Sequence, residues 1–159
     1  MTNKQLFETY ITQNIDSAYR FAYSYTKNRE EAEDAVNESV IKALKSLHTL
    51  KSPEYLGTWF YRIIVNTALT KIKKNKKIIY IDPDDFADIQ NEKDEFSDIS
   101  FEQMIGILEP KYRSIIVLRF FEGRPLEEIS LILDENLNTV KTRLYKALKM
   151  LRIEMEESL

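Results

Sequence analysis

The chain has 159 residues, 43% of them hydrophobic and 31% charged, which suits one compact domain or two small ones that fold rather than stay disordered. It has no cysteine, one histidine (His48) and three glycines. That composition excludes a disulfide framework and a thiolate metal site, leaves almost no room for a zinc centre or a His-based triad, and provides no Gly-rich phosphate loop. No cofactor or metal is expected, and an ordinary enzyme is disfavoured.

The net charge of −3 conceals a strong asymmetry: residues 1–81 carry +5, residues 82–105 carry −8, and residues 106–159 are neutral. Two stretches are purely basic, six cations over 62–77 and five over 141–152. Basic helices on either side of an acidic spacer suit a polyanion held at two places. The bland alternative is a set of solvated helix faces. The first eight residues lack an apolar signal core and no run approaches about 18 apolar residues, so a soluble cytoplasmic protein is expected.

Helical periodicity runs through almost the whole chain. Leu6, Phe7, Tyr10, Ile11, Ile15, Ala18, Ala22 and Tyr25 predict a first helix over about 4–26. Asn28, with Glu31 three positions on, predicts an N-cap. Val36, Val40, Ala43, Leu44 and Leu47 form the inward stripe of that second helix. After a polar turn from His48, Leu56, Trp59, Phe60, Ile63, Ile64, Ala68 and Ile72 mark a third helix that ends in the basic run 71–77. Residues 82–99 are acidic and weakly periodic and read as a flexible linker. Ser100 and Gln103 fit a capping box. Pro110 starts a helix that Gly123 stops.

The segment 125–152 carries most of the functional information. Pro125 opens a short helix with Leu126, Ile129, Ile132 and Leu133, a turn 134–137 follows, and Asn138 is expected to cap a second helix with Val140, Leu144, Ala147, Leu148 and Leu151 inward. That pattern describes a helix-turn-helix. Its outward positions, Thr139, Lys141, Thr142, Arg143, Tyr145, Lys146 and Lys149, can reach phosphates and base edges in a major groove.

Leu126-Glu-Glu-Ile-Ser-x-Ile-Leu with Asn138-Thr-Val-Lys-Thr-Arg-Leu-Tyr-Lys-Ala-Leu resembles region four of bacterial extracytoplasmic-function sigma factors, and Leu108-Glu-Pro-x-Tyr-Arg-x-Ile-Ile-x-Leu-Arg-Phe-Phe-Glu-Gly is similar to the lead-in of that region. Glu33-Asp-Ala-Val-Asn-Glu-Ser-Val-Ile-Lys-Ala-Leu resembles the polymerase-binding helix of region two, and Thr58-Trp-Phe-Tyr-Arg-Ile-Ile-Val-Asn-Thr-Ala its minus-ten helix. The run from Lys141 to Lys149 is similar to the sigma-V-like branch. The resemblance implies an all-α chain of two small helical domains, region two over 1–81 as a three-to-four-helix bundle and region four over 100–159, joined by the linker 82–99.

It also implies roles. Asp34, Asn37, Glu38 and Lys42 would dock on the clamp of the largest subunit of core RNA polymerase, with region four near its flap. The loop 48–57 (His48, Lys51, Ser52) with Tyr61, Arg62, Ile63 and Asn66 would capture an unstacked minus-ten base, and Lys71 and Lys74 would follow phosphates. Trp59 is read as core. Lys141, Thr142, Arg143, Tyr145 and Lys146 would read the minus-thirty-five element, with Thr139 at a phosphate. The acidic linker would thread near the RNA exit path or serve only as a solubilising spacer. A membrane-bound anti-sigma factor answering envelope stress is the implied regulator. The chain departs from the family in carrying Asp134-Glu-Asn136 in place of a Gly-Ile-Pro turn, Asn138 in place of Gly, and Thr70 where many members have Asp; the acidic pair is expected to face DNA.

Three other readings compete. A stand-alone helix-turn-helix repressor or activator would bind a palindrome as a dimer, yet the first half offers neither a ligand pocket nor a heptad seam. A helical adaptor would have no DNA affinity. A nucleic-acid hydrolase lacks a metal-ligand cluster outside the linker.

Overall fold

A computed structural model describes residues 1–76 and 106–157. The linker, the Ser100–Gln103 pattern and Lys77 lie outside the described residues. Helix α1 (Asn3–Thr26) begins in a reciprocal capping box: Thr2 Oγ1 accepts from the Gln5 amide at 3.2 Å, and Gln5 Oε1 accepts from the Thr2 amide at 2.9 Å. The cap explains why the helix starts slightly earlier than its apolar stripe suggests. Lys27 ends it in the left-handed region (φ 54°). Helix α2 (Arg29–Lys45) follows at once, and Asn28 caps it as expected by accepting from the Glu31 amide at 2.9 Å.

The inner face of α2 is a stripe of small residues, Ala32, Ala35, Ser39 and Ala43, all fully buried. Small side chains let the backbone approach closely, so the bulk of the core comes from the neighbouring helices. Phe7 meets Phe60 edge-on at 5.2 Å, and Phe21 meets Tyr61 at 5.1 Å. Such edge-to-face pairs add about 0.5–1.5 kcal/mol each beyond area burial. Leu44 differs from expectation: the stripe turns away before the helix ends, leaving it 40% exposed. Leu47 lies beyond α2 in a 3-10 turn (Leu47–Thr49) and packs partly buried against the core.

A second 3-10 turn (Pro53–Tyr55) leads into α3 (Leu56–Lys76). Trp59 packs on Phe7 and donates its indole N–H to Thr49 Oγ1 at 3.1 Å, which places it with the core as expected.

In the second half, Pro110 occupies the first turn of α4 (Pro110–Ile116). The helix widens into a π turn over Val117–Phe121, in which the Glu122 amide reaches the Val117 carbonyl at 3.0 Å. Gly123 then ends it at φ +65°. Helix α5 (Leu126–Leu133) has Pro125 as its N-cap residue and ends at Asp134, again left-handed (φ 54°). Helix α6 (Leu137–Glu157) starts one residue before the expected Asn138 cap. The cap is Asn136, whose Oδ1 accepts from the Asn138 amide at 2.8 Å. Leu148, expected inward, is 38% exposed.

The two helical units dock on one another. Helix α3 packs on α5, α1 packs on α4 and the π turn, and the buried residues of both units form one cluster. Arg113 is 2% exposed; Nη2 and Nε donate to the Leu108 carbonyl at 2.8 and 3.2 Å, and Nη1 donates to the Ser24 carbonyl at the C-terminal end of α1. A buried guanidinium there satisfies carbonyls that the helix end leaves open.

Candidate nucleic-acid interface

On α2, Asp34, Asn37, Glu38 and Lys42 all lie on the exposed face. Ile41 and Leu44, 53% and 40% exposed, stand on that face with them. The result is a mixed apolar and polar strip of the kind that forms protein interfaces. Two of its members are not free anchors. Lys71 Nζ donates to Glu38 Oε1 at 3.0 Å, and Lys42 Nζ donates to Thr67 Oγ1 at 3.1 Å, so both tie α2 to α3. The Lys71 hydrogen bond holds the Glu38 carboxyl below its ordinary pKa.

The α2–α3 loop is pinned by buried Leu50 and Leu56, which leaves His48 and Lys51 exposed and Ser52 half-buried. On α3, Asn66 and Lys74 are exposed and Ile63 is half-buried. Thr70 is exposed and bonds back to the Asn66 carbonyl at 2.8 Å.

Tyr61 is where structure and expectation part. It is 1% exposed, its hydroxyl donates to Glu122 Oε2 at 3.1 Å, and Arg124 lies over its ring at 5.0 Å. Burial and the adjacent Glu122 carboxylate push the phenol pKa well above its usual value. In this arrangement Tyr61 offers no face to a base. Arg62 is also engaged, donating to the Leu131 carbonyl at 3.2 Å and pairing with Asp134 at 3.6 Å.

On α6, Lys141, Thr142, Tyr145 and Lys146 are exposed, Tyr145 by 70%, and Thr139 is half-buried. Thr142 Oγ1 donates to the Asn138 carbonyl at 2.9 Å, which leaves its lone pairs available as acceptors. Arg143 pairs with Glu135 at 3.2 Å. The Asp134–Glu135 pair expected to face DNA is thus occupied by two arginines, one from each unit. Lys111 and Tyr112 of α4 join Asn138, Thr139, Thr142, Arg143 and Lys146 around one shallow groove. The sequence reading missed these two; the position of Lys111 directly after a helix-starting Pro110 was the available signal.

Among the described residues no cluster of His, Cys, Asp or Glu could hold a metal ion, and no helix is long and apolar enough to cross a membrane.

Residues 10–78 match Sigma-70 region 2 and residues 99–151 match Sigma-70 region 4. The chain is 44% identical over 155 residues to the RNA polymerase sigma factor SigV of Bacillus subtilis, covering 97% of this chain and 93% of that protein. It is 29% identical to the ECF RNA polymerase sigma factor SigW of the same organism, covering 89% and 84%. The chain belongs to the extracytoplasmic-function sigma factors. Within that family it is of the SigV-like type. The fold agrees: the sigma factor RpoE of Bartonella quintana, solved with the anti-sigma factor NepR, superimposes with TM-score 0.76 at 19% identity, covering 94% and 96% of the two chains. CnrH, solved with the cytosolic domain of CnrY, gives 0.72 at 17% identity, covering 96% and 89%. As a sigma factor it binds core RNA polymerase and promoter DNA to initiate transcription, and the stand-alone repressor reading is not favoured.

Proposed function

We propose a division of labour among three helices of this sigma factor. The outer face of α2 docks on the clamp of the largest polymerase subunit, with Asp34 and Asn37 as polar anchors around Ile41 and Leu44 and with Glu38 and Lys42 bracing that face against α3. The α2–α3 loop and α3 read and open the minus-ten element through His48, Lys51, Ser52, Tyr61, Arg62, Ile63 and Asn66, with Lys71 and Lys74 along the backbone. Helix α6 reads the minus-thirty-five element through Lys141, Thr142, Arg143, Tyr145 and Lys146, with Thr139 at a phosphate. The domains run over 1–81 and 100–159.

The observation that carries this reading is one molecule bearing a mixed apolar strip on α2 and, separately, an exposed row of cations and hydroxyls on α6. The protein works in the cytoplasm, performs no chemistry of its own, and is restrained by an anti-sigma factor anchored in the membrane. The RpoE and CnrH structures, each solved with a protein that binds it, support regulation of that kind.

Run-off transcription with bacterial core polymerase on a fragmented genome tests the proposal. New transcripts whose starts share two spaced upstream motifs are expected. No new transcripts, together with a shifted palindromic duplex, would refute it.

A further inference from the structure

Beside α6 the structure builds a shallow groove with a cation on each side. Helix α4 packs against α6, and its first turn brings Lys111 and Tyr112 beside Thr139, Thr142 and Lys146. Tyr112 is half-buried and packs against the core, which fixes the base of the groove. Lys111 Nζ lies over the Tyr112 ring at 5.1 Å, so the ammonium is held beside the groove instead of ranging through solvent. Its carboxylate neighbour is Glu109, 3.9 Å away, and both side chains are exposed. A pair that long and that exposed holds the lysine weakly. Arg143, in the same groove, is by contrast engaged by Glu135 at 3.2 Å.

What this groove can hold follows from where it lies. An α-helix with its side chains is about 10–12 Å across, and the major groove of B-form DNA is about 12 Å wide. A helix seated there fills it, so side chains on an element packed alongside that helix meet the phosphate-lined wall instead of base edges. Lys111 belongs to α4 and stands in that flanking position. The chemistry of the groove agrees. Thr142 Oγ1 donates to the Asn138 carbonyl, so it cannot donate to a phosphate while that bond stands. The ammonium groups of Lys111 and Lys146 can, and an ammonium suits a phosphate as a point charge.

We propose that Lys111, braced by Tyr112, is an anchor for one backbone phosphate of the promoter at the border of the minus-thirty-five element. It fixes how α6 sits in the groove and carries no sequence information of its own. The inference rests on the assignment of α6 to that element. Glu109 stands against the same ammonium and weakens its attraction for a phosphate. The two residues therefore act on promoter affinity with opposite signs.

The test is fluorescence anisotropy of reconstituted holoenzyme on a duplex carrying a promoter recovered by run-off. Single phosphates along the minus-thirty-five element and its borders are replaced, one at a time, by uncharged methylphosphonate. Lys111→Met keeps the aliphatic stem over Tyr112 and removes the charge, and Lys111→Arg keeps the charge. Lys4→Met, at an exposed position of α1, is the surface control. Lys111→Met is expected to weaken binding by about fivefold, the equivalent of one exposed ion pair. It should also lower the slope of log affinity against log salt by about 0.9. Glu109→Gln should tighten binding by about twofold, the effect of one negative charge withdrawn at a distance in water. Neutralising one border phosphate should cost the unsubstituted, Lys111→Arg and Lys4→Met proteins about fivefold and cost Lys111→Met nothing. If Lys111→Met loses helical circular dichroism, the sign of the Glu109→Gln effect decides. Unchanged affinity for Lys111→Met overturns the anchor, as does weaker binding that keeps its response to every methylphosphonate. A loss confined to one base sequence also overturns it, because Lys111 would then read a base. Base substitutions within the element separate the two ideas. Sensitivity to bases without a Lys111-dependent phosphate removes the anchor alone. A Lys111-dependent phosphate without sensitivity to bases removes the reading by α6 and leaves the anchor standing.

Discussion

Glu135→Gln sets affinity against stability and predicts opposite signs for the two. Glu135 Oε1 lies 3.2 Å from Arg143 Nη1, with side chains 39% and 27% exposed. The carboxylate therefore holds an arginine proposed to read the minus-thirty-five element against the start of α6, and that pair must break before Arg143 can extend into a groove. A partly exposed pair of this kind contributes up to about 1 kcal/mol. Removing it should tighten promoter binding by about fivefold, the equivalent of that energy. Glu135 also stands one residue ahead of the Asn136 cap, where a negative charge favours the helix N-terminus by about 0.3–1 kcal/mol. The same substitution should therefore lower Tm by about 2–4 °C for a chain of this size.

The assay is fluorescence anisotropy of reconstituted holoenzyme on a duplex carrying the strongest promoter recovered by run-off, beside a thermal melt of the free protein. In an Arg143→Ala background, Glu135→Gln should leave affinity unchanged, because the restrained group is gone. Weaker binding, with lost discrimination at one C·G pair, would refute the reasoning. It would mean that Glu135 itself accepts from cytosine N4 and reads sequence.

Asp34→Lys should abolish polymerase binding in gel filtration with an unchanged Tm. Glu38→Lys should add a stability loss of up to about 1 kcal/mol, because it breaks the 3.0 Å pair with Lys71 and sets a second ammonium beside it. Lys141→Ala and Lys146→Ala should each reduce the slope of log affinity against log salt by about 0.9, and an unchanged slope would mean that neither meets a phosphate. Burial pushes the Tyr25 phenol up to about 12 from 10.0. A raised folded pKa favours the neutral phenol, so this contribution is complete below pH 10.0 and is lost as pH rises toward about 12. It amounts to about 2–3 kcal/mol at 1.36 kcal/mol per unit, and the denaturant-measured stability gap between Tyr25→Phe and the unsubstituted protein should shift in favour of the variant across that window.

The helices were legible because each buries one stripe, and a stripe at 3.6-residue period is visible in sequence. Asn28 with Glu31, Pro110 at the start of its helix and Gly123 after it were legible for the same reason: each residue type has one local use at that position. The turn 134–138 was not, since Asn136 and Asn138 are both competent caps and spacing does not choose between them. The choice follows from Asp134 taking the left-handed backbone at the end of α5, a conformation that Asp adopts but does not advertise. The exposed sites on α2 and α6 were legible as polar positions opposite an apolar stripe. The docking of the two units was not. Nothing in the local sequence marks Arg20, Arg113, Glu122 and Arg124 for burial, because burial of a charge depends on partners far along the chain, such as Tyr61 with Glu122, 61 positions apart, and Tyr10 with Arg124, 114 apart. The packing of Tyr61 was not legible for that reason: an aromatic residue on the third helix can face a base or a second domain, and its own neighbours in sequence are the same in both cases.

The docking of the two units leaves the proposed recognition surface unequal. With the units docked, α6 presents Lys141, Tyr145 and Lys146, and α2 presents Ile41 and Leu44, but α3 has Tyr61 covered, Arg62 paired with Asp134 and Lys71 paired with Glu38. On the roles proposed above, a duplex meeting the free factor finds one reading helix. Linked sites gain affinity through effective concentration only when geometry lets both engage, so losing one removes the product of the two affinities and leaves a single weak site. The phosphate contacts that would make up the difference are also depleted, since cations already paired within the chain release fewer counterions. The α2 strip proposed to dock on polymerase suffers no such loss. In this arrangement the α2 strip is free to engage a partner, whereas reading through α3 requires Tyr61, Arg62 and Lys71 to leave theirs.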